Sequence, residues 1–199
     1  MNDSSQKSPG RPRSQISHQA ILQATLELLA EVGFEGMSIE AIASRAKVGK
    51  TTIYRRYSSK EELAADAIES LRQEVIIPDT GNFSSDLEEI IKNAAQITLT
   101  PLGRQTVAMI ISSASSNSQF AQIYWKKYLH PRREAFAIVI KRAKDRNEIQ
   151  GDLNPNLVFD IISGIMLYTL IFEPTSESWE DYVRSALKLV FKGMSLKNF

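Results

Sequence analysis

The 199-residue chain has no cysteine and only two histidines, His18 and His130. The first absence excludes disulfides, thiolate zinc sites and a cysteine nucleophile. The second leaves too few imidazoles for a catalytic metal site, so neither a metal nor a cofactor is expected. No acid cluster and no nucleophile–base pair stands out, which argues against an enzyme. The N-terminus lacks the apolar segment of a signal peptide. The longest apolar run, from Leu157 to Phe172, is broken by Asp160 and falls short of the roughly 18 residues that span a bilayer. It reads as a buried helix, and the chain as soluble, cytoplasmic and without a membrane partner. Strand signals are nearly absent too, so the expected fold class is all-α.

What is present is ordinary globular composition, 43% apolar and 24% charged, enough to bury a core. The net charge of +1 hides a split: residues 1–60 carry nine Lys or Arg against five acids, leaving +4 there and −3 in the remainder. A basic first third suits a polyanion. Residues 1–14, rich in Ser, Gly, Pro and basic residues, read as a flexible arm. Helix punctuation follows. Ser17 is a candidate N-cap with Ile16 stapling onto Ile21, and Ile21, Ala24, Thr25, Leu28, Leu29 and Val32 form an apolar face closed by Gly33. Ser38 caps a second helix, and Ser59-Lys60-Glu61-Glu62 reads as a capping box. The Pro78–Asn82 segment is the strongest boundary, with a fresh cap at Ser84 or Ser85. Further starts fall at Pro101 and Asn117, a kink or restart at Pro131, then starts at Asn154 and Ser178, with Pro174 as a separator. The expected layout is an arm over 1–14, a head over 15–75 and a body over 76–199, with about nine helices.

The most informative stretch runs from Ala41 to Tyr57. Ile42, Ala43, Ala46, Val48 and Ile53 are spaced to pack two short helices together across a tight turn. That leaves Lys50, Thr51, Thr52, Tyr54 and Arg55 outward, a donor-rich surface of the kind that enters a DNA major groove. Ile53 and Tyr57 read as core. Gly49-Lys50-Thr51 mimics the end of a phosphate-binding loop, but Ser44 stands where that loop needs glycine and no strand precedes it, which excludes nucleotide hydrolysis.

Gly10-Arg11-Pro12-Arg13, Gly33-Phe34-Glu35-Gly36-Met37-Ser38-Ile39, the Ala46–Tyr57 stretch and Lys60-Glu61-Glu62-Leu63 occur in an order and spacing that resembles the DNA-binding domain of the TetR/AcrR family of bacterial transcriptional regulators. The resemblance implies a helix-turn-helix head on a helical regulatory body, and a homodimer that binds a palindromic double-stranded DNA operator. It implies a repressor released by a small-molecule effector; an activator or a ligand-independent regulator is the alternative, and a DNA-directed enzyme a remote one. By this resemblance Ser38, Tyr54 and Lys60 look like phosphate contacts, which their donor chemistry suits. Lys50, Thr51 and Thr52 are the candidate base readers, Gly49 leaves bare N–H groups at a helix start, Arg45 can reach either target, and Arg55 belongs to the same DNA-facing set. Arg11 and Arg13 look like a minor-groove arm. Two departures stand out: Lys47 where the family often has glycine, and Gly49 where serine often caps.

In the body, Phe120, Tyr124 and Tyr128 recur every four residues beside Trp125. With Met109 and Phe172 they could line an apolar or aromatic ligand pocket, or simply form core. Ile161, Ile162, Gly164, Ile165 and Met166, then Leu187 and Val190, exceed what one side of a bundle needs. The resemblance points to a four-helix dimer interface there.

Overall fold

Chain segments with strong 3.6-residue periodicity and few β-branched runs are expected to fold as helices, and they do. A computed structural model describes residues 10–72, 77–149, 153–172 and 177–193. Among the described residues lie ten α-helices and one π-helical turn, with no strand. The helices are α1 (Gly10–Gly36), α2 (Ile39–Arg45), α3 (Lys50–Tyr54), α4 (Lys60–Glu69), α5 (Phe83–Thr98), α6 (Pro101–Ser116), α7 (Ser118–Tyr124), α8 (His130–Asp145), α9 (Pro155–Phe172) and α10 (Trp179–Gly193). The π-turn, Trp125–Leu129, joins α7 to α8.

The chain forms two units. The first contains the described residues up to Leu71 together with Ala108–Tyr124. Ile21, Ala24, Leu28 and Leu29 of α1 are buried, as the periodicity requires, but Val32 is 51% exposed. Gly33, at φ 69 and ψ 179, breaks the helix in a conformation that favours glycine. The start of α1 differs from expectation. The helix begins at Gly10, so Arg11 and Arg13 sit on its first turn and Ser17 lies inside it rather than at its cap. No breaker separates Gly10 from Gly33, and Pro12 falls in the first turn, where a missing N–H costs nothing. Ile16 lies inside this helix rather than before its cap, and is 66% exposed. Residues 1–9 of the expected arm lie outside the described residues.

Helix α4 starts at Ser59, whose hydroxyl accepts from the Glu62 N–H at 3.1 Å, while the Glu62 carboxylate accepts from the Ser58 N–H at 3.0 Å. Leu63, Ala67 and Ile68 are fully buried. Helix α7 packs on the same unit: Phe120 lies 5.6 Å from the Phe34 ring and 5.7 Å from Tyr124, and the Tyr124 hydroxyl donates to Glu69 at 2.9 Å.

The second unit comprises Arg72–Val107 and the chain from Trp125 onward. Its core gathers Ile91 of α5, Phe136, Val139 and Ile140 of α8, Val158 and Ile162 of α9, and Val183 and Leu187 of α10. Asn82, not Ser84 or Ser85, caps α5, accepting from the Ser85 N–H at 2.8 Å. Asp86 is fully buried and accepts from the Thr80 N–H at 2.6 Å and the Thr80 hydroxyl at 2.7 Å, which pins the preceding loop. Asn154 and Ser178 cap α9 and α10 as expected. Pro131 restarts the helix at α8; its ring would clash with a carbonyl one turn earlier, and the wider π-turn before it relieves that clash. Pro174 lies outside the described residues.

Helix α9 corrects the expectation of a buried helix. Val158, Ile162, Thr169 and Leu170 face the core, whereas Leu157, Leu167, Tyr168, Ile171 and Phe172 are exposed. Among the described residues it is long and apolar enough to cross a membrane by length and composition alone. Its Asp160, however, is ion-paired to Arg133 of α8 at 2.6 Å, and its other face is packed in the bundle.

Candidate nucleic-acid interface

Helices α2 and α3 are too short to be stable alone, so their caps and buried faces hold them. Ser38 caps α2, its Oγ accepting from the Ala41 N–H at 3.1 Å. The hydroxyl keeps its proton for a second partner. At the other end the Val48 N–H donates to the Ala43 carbonyl at 3.0 Å and the Lys47 N–H to the Ser44 carbonyl at 3.2 Å. These two bonds close a Schellman turn, which needs a left-handed residue at its corner. Lys47 occupies that corner with φ 53. Gly49 then caps α3 with an extended backbone and no side-chain bond. The turn aims α3 so that Ile53 is fully buried, with Tyr57 4% exposed just beyond. Tyr57 stacks on His18, and burial, with Asp66 nearby, pushes its phenol up to about 12. Ile53 and Tyr57 are thus core, as the sequence indicated.

With Ile53 inward, Lys50, Thr51, Tyr54 and Arg55 face outward and Thr52 is half-buried. The surface offers two hydroxyls, a phenol and two cations within six residues, a set of donors suited to phosphate oxygens and base edges.

Three of the predicted contacts already have partners. Arg45 makes a bidentate pair with Glu31 of α1, both bonds at 2.7 Å, with Glu27 at 3.9 Å. The hydrogen bond from Arg45 holds the Glu31 carboxyl below its ordinary value. Arg45 thus braces α2 against α1. Lys50 donates to Glu40 of α2 at 3.0 Å, which raises the lysine and lowers the carboxyl. Lys60 donates to the Phe34 carbonyl at 3.0 Å and the Met37 carbonyl at 3.1 Å, with its ammonium 4.4 Å from the Phe34 ring centre. It ties α4 to the turn that leads into α2. None of these acid partners was read from the sequence. Glu27 and Glu31, four apart on α1, were discernible as one acidic face; nothing in the sequence marked Glu40.

The aromatic stripe divides. Phe120 and Tyr124 are closed within the first unit's core, and Met109 is half-buried on α6. In the second unit Trp125 is 39% exposed, with Arg133 over its ring at 5.4 Å, Tyr128 is half-buried, and Phe172 lies exposed against Tyr168. Of the residues predicted for a dimer face, Ile162 and Leu187 are buried in the core and unavailable to a partner. Ile161, Ile165, Met166 and Val190 are half-buried, and Gly164 is exposed.

The model for the N-terminal domain of "Bacterial regulatory proteins, tetR family" matches residues 21–67, and that for the "Tetracyclin repressor-like, C-terminal domain" matches residues 77–190. The chain belongs to the TetR family of bacterial transcriptional regulators. The HTH-type transcriptional regulator YdeS of Bacillus subtilis is 30% identical over 190 residues, 95% of each chain. Among solved structures, FrrA, a flavonoid-responsive regulator, superposes with a TM-score of 0.69 at 20% identity, covering 89% of this chain and 96% of its own. FadR from Bacillus subtilis, in complex with stearoyl-CoA, superposes with a TM-score of 0.65 at 20% identity, covering 88% and 98%. At such identities the two structures establish the fold. This TetR-family protein is thus a DNA-binding transcriptional regulator with a helix-turn-helix built on α2 and α3, and its relatives are regulators rather than enzymes.

Proposed function

We propose that this TetR-family regulator acts in the cytoplasm as a homodimeric repressor on a palindromic operator and leaves it when a small apolar or aromatic molecule binds the helical body. The observation that carries the DNA reading is the outward set Lys50, Thr51, Tyr54 and Arg55 on a helix whose opposite side is anchored by Ile53. Thr51 and Thr52 suit base edges, Ser38 and Tyr54 suit phosphates, and the guanidinium groups of Arg11 and Arg13 have the chemistry for a minor groove.

The dimer reading rests on apolar side chains that the bundle leaves exposed. Leu157, Leu167, Tyr168, Ile171 and Phe172 of α9, with Leu189 of α10, are 38–72% exposed. Positions 157, 164, 167, 168, 171 and 172 share one helix face. At Gly164 an added Cβ would meet nothing within 4 Å, so the single chain leaves room there for a partner helix. Exposed apolar side chains gathered on one helix face are a liability unless covered.

The effector reading draws on the flavonoid response of FrrA and the stearoyl-CoA bound by FadR. A coupling of only about 1–3 kcal/mol between the two sites is enough for release.

Selection of bound duplexes from a random DNA pool tests the central claim. The expected product is a pseudo-palindrome whose half-site centres lie about 34–36 Å apart or somewhat more. Failure to enrich any sequence at physiological salt would refute operator binding.

A further inference from the structure

Glu40 and Lys50 stand in the first turns of α2 and α3, and their side chains meet across the surface of the helix-turn-helix at 3.0 Å. Both are largely exposed, at 62% and 54%. Ion pairs this exposed contribute little to stability, so folding does not account for the pair. Lys50 and Tyr54, four residues apart, lie on the same face of α3, and that face is the one read above as meeting DNA.

A carboxylate on such a surface is repelled by phosphates, so its presence changes what Lys50 can bind. If Lys50 left Glu40 for a phosphate, it would exchange one anion for another and leave the carboxylate bare beside the DNA backbone. A base edge imposes no such exchange. The ammonium has three N–H donors, of which Glu40 takes one, and the guanine O6 and N7 acceptors can take another. Glu40 keeps lone pairs that can accept from the cytosine N4 amine.

We propose that Glu40 is a specificity-determining residue: it holds Lys50 away from the phosphate backbone and makes the Glu40–Lys50 couple read a G·C pair. The consequence is lower affinity for DNA at large and a larger margin for the operator. This assignment rests on the DNA-binding reading of α2 and α3.

The test uses the full chain, a duplex enriched from the random pool, and a scrambled duplex of the same composition. Affinities are measured by fluorescence anisotropy over a salt series for wild type, Glu40→Gln, Lys50→Gln and the double variant. Thermal melts confirm that each variant is folded. On the scrambled duplex Glu40→Gln should bind more tightly, with a salt slope steeper by about 0.9, one further phosphate. The ratio of affinities between the two duplexes should fall about tenfold, the low end expected for losing one good base contact. In the Lys50→Gln background the same substitution should leave the slope unchanged and lower the ratio by clearly less than it does in wild type. Equal slopes and ratios for wild type and Glu40→Gln would overturn the assignment, as would an effect of full size without Lys50. If wild type enriches no sequence, the DNA-binding reading itself fails; if it does and Glu40→Gln behaves as wild type, only the present assignment fails.

Discussion

Lys60→Ala separates two roles for one ammonium group. Family resemblance makes Lys60 a phosphate contact, whereas the structure has it donating to the Phe34 and Met37 carbonyls at 3.0 and 3.1 Å with the Phe34 ring beneath it. A hydrogen bond from a charged donor contributes about 1.5–3 kcal/mol, and a cation–π contact near the surface about 0.5–1 kcal/mol. The lysine is half-buried, so water can reach the two carbonyls once the side chain is gone and recover part of this. Truncation should therefore cost about 2 kcal/mol in all, less than the simple sum. For a chain of this length that lowers Tm by roughly 4–8 °C. Thermal unfolding followed by circular dichroism reads the loss. Anisotropy on a random duplex, well below Tm, should show an unchanged salt slope. An unchanged Tm with a slope flatter by about 0.9 would refute the argument and return Lys60 to the phosphates.

Three further outcomes follow from the same geometry. Lys47→Gly relieves a left-handed corner at φ 53 and should raise stability by about 0.5–1 kcal/mol in urea titration, the strain removed exceeding the extra freedom of the unfolded chain. Asp86→Ala should cost about 3 kcal/mol at neutral pH, because Thr80 loses two short bonds. Burial pushes the Asp86 carboxyl up, but the Thr80 N–H and hydroxyl and the Arg146 guanidinium outweigh it and hold the group below its ordinary value. Its contribution is thus complete above the unfolded carboxyl value of about 3.9 and is lost as pH falls toward the folded value, so the gap to Asp86→Ala should close in acid. Ile171→Asp, at an exposed position, should give folded monomers in sedimentation with weakened operator binding, whereas Leu187→Asp, in the core, should unfold the chain.

The head was legible because its signals are local. Gly33 ends a helix, Ser38 and Ser59 cap the next ones, and the 42–43–53–57 spacing leaves little choice over what is buried. Even the strain at Lys47 follows from placing a non-glycine residue at a Schellman corner. The start of α1 was misjudged for an equally local reason: a good cap at Ser17 carries no weight when the helix has already begun upstream, and Pro12 can sit in a first turn. What the sequence hid in the head was pairing at a distance. Arg45 with Glu31 spans 14 positions and Lys60 with Phe34 spans 26, and no period or motif connects such partners. Three of the cations counted as DNA contacts from the sequence, Arg45, Lys50 and Lys60, therefore have partners within the domain that the sequence did not show.

In the body, periodicity established that α9 and α10 are apolar on more than one side but not which side is covered. Ile162 and Val158 point to Val183 and Leu187, while Leu167 and Ile171, about one and a half and two and a half turns beyond Ile162 and no more apolar, are bare. Side chains a few tens of degrees apart on a helix look alike in a window of residues. The deciding quantity is the direction from which α8 and α10 approach, which is set by long-range packing. The same ambiguity affected Phe120 and Tyr124. Their four-residue spacing suits a ligand wall and a core equally, and the partner that settles their packing, Phe34, lies 86 residues before Phe120. A stripe expected for dimerisation is therefore better sought among apolar residues that the finished bundle leaves exposed. By that criterion Leu167, Tyr168, Ile171 and Phe172 replace Ile162 and Leu187, and Gly164 keeps its place because the space beside it is open.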